Sequence, residues 1–149
     1  MSVFPEYKGQ SASQLISMDI EYGEEIVLTL FRDAIELKVE KTGINSLTHS
    51  EKLVLSILIA ESEIYLGGFS SFLHGQYSES AILLPRFFSE AGLEKCSEMM
   101  QAAIKISSSP GDDQKYIKLD TDFLDLSEQI ASKLIKFIIN NIDDFPLSN

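Results

Sequence analysis

The stretch from Thr48 to Gly92 decides the fold, and it reads THSEKLVLSILIAESEIYLGGFSSFLHGQYSESAILLPRFFSEAG. Thr48 is followed three residues later by Glu51, and this capping-box pattern predicts a helix that begins near His49. Apolar residues then recur at the spacing of one helical face: Leu53, Ile57, Ala60 and Ile64. The β-branched residues leave a buried strand as the alternative, but the cap and the length of about four turns favour a largely buried helix.

A glycine pair follows this helix. Gly67 and Gly68 are predicted to end it, because glycine tolerates a positive φ and lets backbones approach closely. Neither GxxxxGK[ST] nor GxGxxG surrounds the pair, so a phosphate-binding loop is not supported. The apolar residues that come next, Phe69, Phe72 and Leu73, are expected to form a short helical turn that fills the core.

The rest of the chain predicts an all-α fold, a single compact domain over residues 1–149 with about six helices around the buried central helix. Residues 1–10 are expected to form a loose arm and residues 107–116 a mobile loop, since both contain proline and glycine. Pro85 lies within a predicted helix and should kink or restart it. The first predicted helix is capped by Ser11 or Ser13 and reaches Ile20. The other predicted helices besides the central one run from about Glu24 to Lys41, Ser78 to Ala91, Leu93 to Ile106 and Leu126 to Asp143.

The last predicted helix carries two apolar stripes, although a surface helix needs only one. One stripe contains Leu126, Ile130, Leu134 and Phe137, and the other contains Ala131, Ile135, Ile138 and Ile142. The second stripe predicts either a helix buried on two sides or the face of a homodimer. We favour burial within the chain.

Charge is the main functional signal in the composition. The formal net charge is −11, from 23 acidic and 12 basic residues. This balance argues against direct binding of nucleic acid or of an anionic membrane, and it is compatible with a basic protein partner. Acidity that serves solubility alone is the alternative. The chain shows no signal peptide and no apolar run of about 20 residues, so we expect a cytoplasmic protein without a membrane segment.

The sequence lacks the patterns that enzymes and metal proteins use. It contains no HExxH, CxxC or GxSxG motif, and its single cysteine, Cys96, lies on an Ala- and Met-rich helix that favours packing over catalysis. The spacing of Asp120, Asp122 and Asp125 does not fit a calcium loop. We therefore predict no enzyme activity, no cofactor and no metal. Glu61 is expected to form a structural hydrogen bond, with the Gly-Gly turn as its preferred partner.

Three segments together resemble the DNA-mimic protein family of small all-helical bacterial domains. They are ESEIYLGGFSSFLHG from Glu61, YSESAILLPRFFSEAGLEKCSEMMQAAI from Tyr77 and LDTDFLDLSEQIASKLIKFIINNIDDF from Leu119. The resemblance runs from roughly Glu51 to Phe145, and its structural motif is Glu61, Gly67, Gly68 and Phe69. It implies a non-enzymatic acidic protein, often dimeric, that occupies the nucleic-acid-binding surface of a partner.

The predicted partner-binding carboxylates flank the last helix: Asp112, Asp113, Asp120, Asp122, Asp125, Asp143 and Asp144. Their expected partner is a basic protein, either a DNA-binding protein or a toxin. The second option would make this chain an immunity-type protein that neutralises a basic nuclease. A homodimer would form through the C-terminal helix.

Overall fold

A computed structural model of the protein describes residues 4–108 and 113–147, and the regular structure of these residues is helical without strands. The prediction of an all-α fold is confirmed. The α-helices of the described residues are α1 (Ala12–Ser17), α2 (Asp19–Tyr22), α3 (Glu24–Thr42), α4 (His49–Leu73), α5 (Leu84–Glu90), α6 (Glu94–Ser107), α7 (Ile117–Leu124) and α8 (Ser127–Asn140). Short 3-10 helices cover Ile44–Ser46, Ser80–Leu83, Asp113–Tyr116 and Ile142–Asp144.

The helices belong to two compact units. Unit 1 consists of Met1–Leu55 and Ala131–Asn149, and unit 2 consists of Ser56–Ile130. The helix α4 begins in unit 1 and its later turns belong to unit 2, whereas α8 begins in unit 2 and continues in unit 1.

The N-terminus of α4 lies in unit 1 and has the capping box that the sequence predicts. The Glu51 backbone N–H donates to the Thr48 hydroxyl at 3.0 Å, and the Thr48 N–H donates to the Glu51 carboxylate at 2.9 Å. Glu51 is fully buried and also accepts a hydrogen bond from the Lys38 ammonium at 2.7 Å. A buried carboxylate is tolerated only when it is paired, and these donors supply the pairing.

The C-terminal segment of unit 1 closes over the same carboxylate. Leu147 donates its backbone N–H to Glu51 Oε2 at 3.2 Å, and the Leu147 side chain is buried. Its φ of +42° lies in the left-handed region, which is uncommon for a residue other than glycine. Phe145 packs edge-on against Phe31 of α3, with ring centroids 5.9 Å apart. The C-terminal segment is therefore part of the core of unit 1.

Three phenylalanine rings form the centre of unit 2. Phe123 of α7 packs edge-on against Phe69 of α4 at 5.3 Å and against Phe88 of α5 at 6.2 Å. Edge-to-face ring pairs at such distances contribute about 0.5–1.5 kcal/mol beyond the area that they bury. All three rings are fully buried. The predicted aromatic turn after the glycine pair is thus confirmed as core.

The glycine pair breaks α4 where the sequence predicts that the helix ends. Gly68 has φ +79° and ψ +173°, which are not helical values, and a further helical turn from Phe69 to Leu73 follows it. This conformation is open to glycine and strained for any residue with a side chain. The break redirects the chain so that Phe69 and Phe72 become buried.

The segment around Pro85 corrects one part of the sequence prediction. The helix does restart there, because α5 begins at Leu84 with Pro85 in its first turn. The preceding residues form a 3-10 turn instead of an α-helix, so Ile82 and Leu83 point outward and are 73% and 41% exposed. Ala81 and Leu84 are the buried apolar residues of this segment.

Several other boundaries differ from the sequence prediction. The helix α7 lies in a region that was not predicted to be helical, and α8 ends at Asn140, before a 3-10 turn. Of the predicted mobile loop, residues 109–112 lie outside the described residues, while Asp113–Tyr116 forms a 3-10 helix. Residues 4–10 of the predicted arm contain no helix.

Among the described residues one helix, α4, is long and apolar enough to cross a membrane by length and composition alone. The buried core helix of a globular protein can meet the same criterion. Leu53, Ile57, Ala60 and Ile64 are indeed buried within the protein. They confirm the predicted apolar face of this helix.

Candidate acidic surface

The predicted carboxylates fall into two separate groups. Asp120 and Asp122 lie on α7 and Asp125 directly follows it, all in unit 2, whereas Asp143 and Asp144 lie in the 3-10 turn after α8, in unit 1. Asp112 and the side chain of Asp113 lie outside the part of the chain that the structure describes. Each group is therefore considered within its own unit.

Asp120 has a structural partner at the glycine pair. Its Oδ1 accepts a hydrogen bond from the Phe69 backbone N–H at 2.8 Å. The first N–H groups of a helical segment lack partners within it, and a carboxylate that accepts from them acts as a cap. A Cβ atom added to Gly68 would lie only 2.7 Å from Asp120 Oδ2. Asp120 thus stabilises the break in α4 instead of standing free on the surface.

The remaining predicted carboxylates are more accessible to solvent, and some of them contact a neighbouring polar or charged group. Asp122 lies 3.7 Å from the ammonium of Lys118 one turn earlier, while Asp125 is exposed. Asp143 is exposed as well. Asp144 accepts a hydrogen bond from the Ser50 hydroxyl at 3.1 Å, near the N-terminus of α4. The N-terminus of a helix favours a negative charge, so this position stabilises the Asp144 carboxylate.

A longer row of carboxylates, missed by the sequence analysis, runs along α3 in unit 1. Its members are exposed: Glu25, Asp33, Glu36 and Glu40. At about 100° per residue these positions fall within about 80° around the helix axis, so they form one stripe. The spacing of eight, three and four residues is the sequence signal for this stripe. We call these four residues the α3 stripe.

The carboxylates of the α3 stripe influence one another. Partial burial raises the pKa of Asp33, the negative charge of Glu36 raises it further, and Arg32 acts in the opposite direction. Arg32 forms an ion pair with Glu36 one turn later. One of the four charges is therefore partly neutralised, and the other three carry the field of the stripe.

The dimensions of the α3 stripe can be compared with DNA. Fifteen residues separate Glu25 from Glu40, which corresponds to about 22 Å along a helix with a rise of about 1.5 Å per residue. One DNA strand presents about six or seven phosphates over that length. The three carboxylates outside the Arg32–Glu36 ion pair thus supply about half of that charge, which is enough to attract a basic surface but not to reproduce a duplex.

Cys96 does not offer a reactive thiolate. Burial, together with the negative charge of Glu61, raises the pKa of its thiol to about 12. At neutral pH the sulfur is therefore protonated and shielded, which is the opposite of what a cysteine nucleophile requires. Glu61 is partly buried in unit 2, and its hydrogen bond to the Gly-Gly turn stays a prediction; at this turn Asp120 accepts a hydrogen bond from the Phe69 N–H. The described residues contain no group of three potential ligands suited to a metal ion.

The fold and the charge define a class, that of small acidic all-α proteins with a row of carboxylates along one helix. More specifically, the chain belongs to the DMP19-like protein family, which matches residues 45–141. This match covers about two thirds of the chain and includes the glycine pair and Asp120. It confirms the resemblance drawn from the sequence. Comparisons with curated proteins and with solved structures gave no match.

Proposed function

We propose that this chain is a DNA-mimic-like binding protein that presents carboxylates to the basic, nucleic-acid-binding surface of another protein. The α3 stripe is the observation that carries the proposal, because it places four exposed acids along one side of a helix in a chain of net charge −11. Membership of the DMP19-like family supports it. The proposal includes a cytoplasmic location and the absence of enzyme activity.

The physical basis is competition for a positive surface. A protein that binds DNA releases counterions from the phosphates, and its affinity falls steeply with salt. An acidic protein that occupies the same surface is expected to show a steep salt dependence as well, since long-range attraction between exposed charges is screened. The partner must then release this chain when duplex DNA is added.

The first test is a pull-down in which this protein is immobilised and exposed to a bacterial lysate. Bound proteins should dissociate when the salt rises from about 50 mM to about 500 mM, because the Debye length shrinks several-fold. They should also elute with duplex DNA at low salt. Retention of the same partners under both conditions would rule out the mimic.

Variants that each remove four charges locate the surface. The first neutralises the α3 stripe: Glu25→Gln, Asp33→Asn, Glu36→Gln and Glu40→Gln. The second neutralises four of the seven residues predicted from sequence: Asp122→Asn, Asp125→Asn, Asp143→Asn and Asp144→Asn. A matched control neutralises exposed acids elsewhere: Glu6→Gln, Glu79→Gln, Glu98→Gln and Glu128→Gln.

The proposal expects the α3 set to weaken binding most and the control set least. If the second set has the largest effect, the sequence prediction of the surface was the better one and the mimic function stands. Equal effects of all three sets would mean that only net charge matters, and the proposal of a defined surface fails. Capture of a basic nuclease toxin would identify the partner as the target of an immunity-type protein.

A homodimer through α8 stays a prediction. Both apolar stripes of this helix are largely buried within the chain itself, so little apolar surface remains for a second copy. Ile139, which is 49% exposed, is the large apolar residue of α8 that is most open to solvent. Sedimentation of the protein and of an Ile139→Glu variant tests this prediction directly.

A further inference from the structure

Unit 1 contains a cavity of about 340 Å³ that the proposed function does not use. Its walls come from three segments: Tyr7 and Lys8 from the N-terminal segment, Ala34, Leu37 and Lys41 from α3, and Leu147 from the C-terminal segment. The volume lies near the lower end of the range of about 300–1,000 Å³ that small-molecule sites occupy. The cavity is thus large enough for a small ligand.

The charge of this cavity is opposite to that of the protein. Three lysines contribute to its lining, Lys8, Lys38 and Lys41, and no Asp or Glu side chain does. The ammonium of Lys38 is engaged by buried Glu51 at 2.7 Å. Lys8 and Lys41 are exposed, and neither forms an ion pair with another residue in the described ranges 4–108 and 113–147. Within the described residues, two lysines without an ion pair therefore border a cavity in an otherwise acidic protein.

The lysine side chains fit a particular kind of ligand. A lysine beside an apolar cavity lays its methylene stem along the wall and keeps its ammonium in water, at the mouth. Ala34, Leu37 and Leu147 make the interior apolar. A ligand that matches both parts has an apolar body for the interior and a negative group for the mouth.

We propose that this cavity binds a small carboxylic acid with an apolar body, such as a medium-chain fatty acid or an aryl-substituted acid. The hydrocarbon part contacts Ala34, Leu37 and Leu147, and the carboxylate lies near the ammonium groups of Lys8 and Lys41. This site takes an anion, whereas the α3 stripe takes a cationic surface. The proposal is therefore independent of the proposed function.

Calorimetric titration of the full chain with octanoate tests the proposal, with octylamine and 1-octanol as matched probes. Octanoate should bind saturably at one site per chain, and both other probes should bind at least several-fold more weakly. The variants Lys8→Gln and Lys41→Gln should each weaken octanoate binding by up to about fivefold, as expected for exposed ion pairs. Leu37→Trp should abolish it, because the larger side chain fills the cavity.

Lys52→Gln is the control, since Lys52 is an exposed lysine of unit 1 that does not line the cavity. It removes the same charge and should leave the octanoate affinity unchanged. The lysine variants are at exposed positions, and circular dichroism verifies that they fold. The proposal is overturned by absence of octanoate binding, by equal binding of octanol, or by equal effects of Lys41→Gln and Lys52→Gln.

Discussion

The Asp120 carboxylate accepts a hydrogen bond from the Phe69 backbone N–H, 51 residues earlier in the chain, at 2.8 Å. This bond joins α7 to the second part of α4, at the point where Gly68 takes a positive φ. The glycine pair, which sequence patterns single out first, and an aspartate, which they assign to the surface, thus form one structural element. Most of the predictions below concern such pairings.

Replacement of Asp120 by alanine should lower the free energy of unfolding by about 0.5–2 kcal/mol, the usual effect of removing a cap. Asp120→Asn should cost less, because the amide oxygen can still accept from the Phe69 N–H. Urea denaturation measures both. Asp122→Ala is the control on the same helix, and it should cost less than about 1 kcal/mol because it removes only a solvent-accessible pairing with Lys118.

Gly68→Ala should destabilise the protein by about 2 kcal/mol or more. The φ and ψ of Gly68 are almost exclusive to glycine and cost another residue about 1–3 kcal/mol, and the new Cβ would also collide with Asp120 Oδ2 at 2.7 Å. The neighbouring variant Gly67→Ala provides the comparison. Gly67 has no positive φ, but its Cβ would lie 2.8 Å from Ser71 Oγ and 2.9 Å from Ser71 Cβ, so Gly67→Ala should destabilise the protein by the clash alone and less than Gly68→Ala does. Equal thermal shifts for the two alanine variants would contradict this account of the helix break.

The buried ion pair between Lys38 and Glu51 should be sensitive to loss of either partner. Glu51→Gln leaves the Lys38 ammonium buried without its carboxylate, and breaking such a pair typically costs about 3–5 kcal/mol. Lys38→Met should cost less, because Thr48 and Leu147 still donate N–H groups to Glu51. A double-mutant cycle, with urea denaturation of the parent chain, of both single variants and of the double variant, gives the coupling energy between Lys38 and Glu51.

The exposed pair between Arg32 and Glu36 is the reference for that cycle. Its side chains are about one third and one half exposed, so solvent screens their attraction. Glu36→Gln should change the free energy of unfolding by less than about 1 kcal/mol. If Glu36→Gln lowers the free energy of unfolding as much as Glu51→Gln does, then burial is not the reason that the Lys38–Glu51 pair stabilises the protein.

Cys96 should make the protein less stable in alkali. Its thiol has a pKa of about 12 in the fold, above the ordinary value of 9.0. Below pH 9 the thiol is neutral in both the folded and the unfolded state, so this contribution to stability is complete. As the pH rises from about 9 towards 12 the unfolded state loses a proton that the folded state keeps, and stability falls.

Two measurements check the Cys96 prediction. Iodoacetamide at pH 8 should label the native protein far more slowly than the urea-unfolded protein. Cys96→Ala should show a smaller loss of unfolding free energy between pH 9 and pH 11 than the parent chain. Rapid labelling of the native state would contradict both the burial of the thiol and its raised pKa.

Asp33 should contribute negatively to stability at neutral pH. Its pKa is raised by partial burial and by Glu36, so the folded state binds a proton more tightly than the unfolded state does. That favourable contribution is present below the ordinary value of 3.8 and is lost as the pH rises through the raised pKa. Asp33→Asn should therefore raise the unfolding midpoint at pH 7 and have little effect at pH 3. The exposed control Asp125→Asn should not raise the unfolding midpoint at pH 7.

Local sequence signals were sufficient for the helices and for much of the core. The capping box at Thr48 and Glu51 located the start of α4, and the glycine pair located its break. Both signals depend on neighbours in sequence, which a single chain displays directly. The sequence signal was weaker around Ile82. A 3-10 turn forms there instead of the expected α-helix, and the Ile82 side chain is exposed.

The candidate site was harder to predict because its function depends on what each carboxylate contacts. Asp120 and Asp125 look alike in sequence, yet the first caps a helix break and the second is exposed. The distinction follows from packing between distant segments, which periodicity does not report. The α3 stripe, in contrast, follows from local sequence, because Asp33, Glu36 and Glu40 recur at helical spacing.

The close approach of Gly68 and Asp120 has an evolutionary consequence. A side chain at position 68 and a carboxylate at position 120 compete for the same space, so the two positions should change together. Family members that have lost the glycine are expected to have lost the acid as well, and to continue their fourth helix without a break. In those members the ring at position 69 would turn to another side of the helix, and the aromatic centre would have to be rebuilt around it.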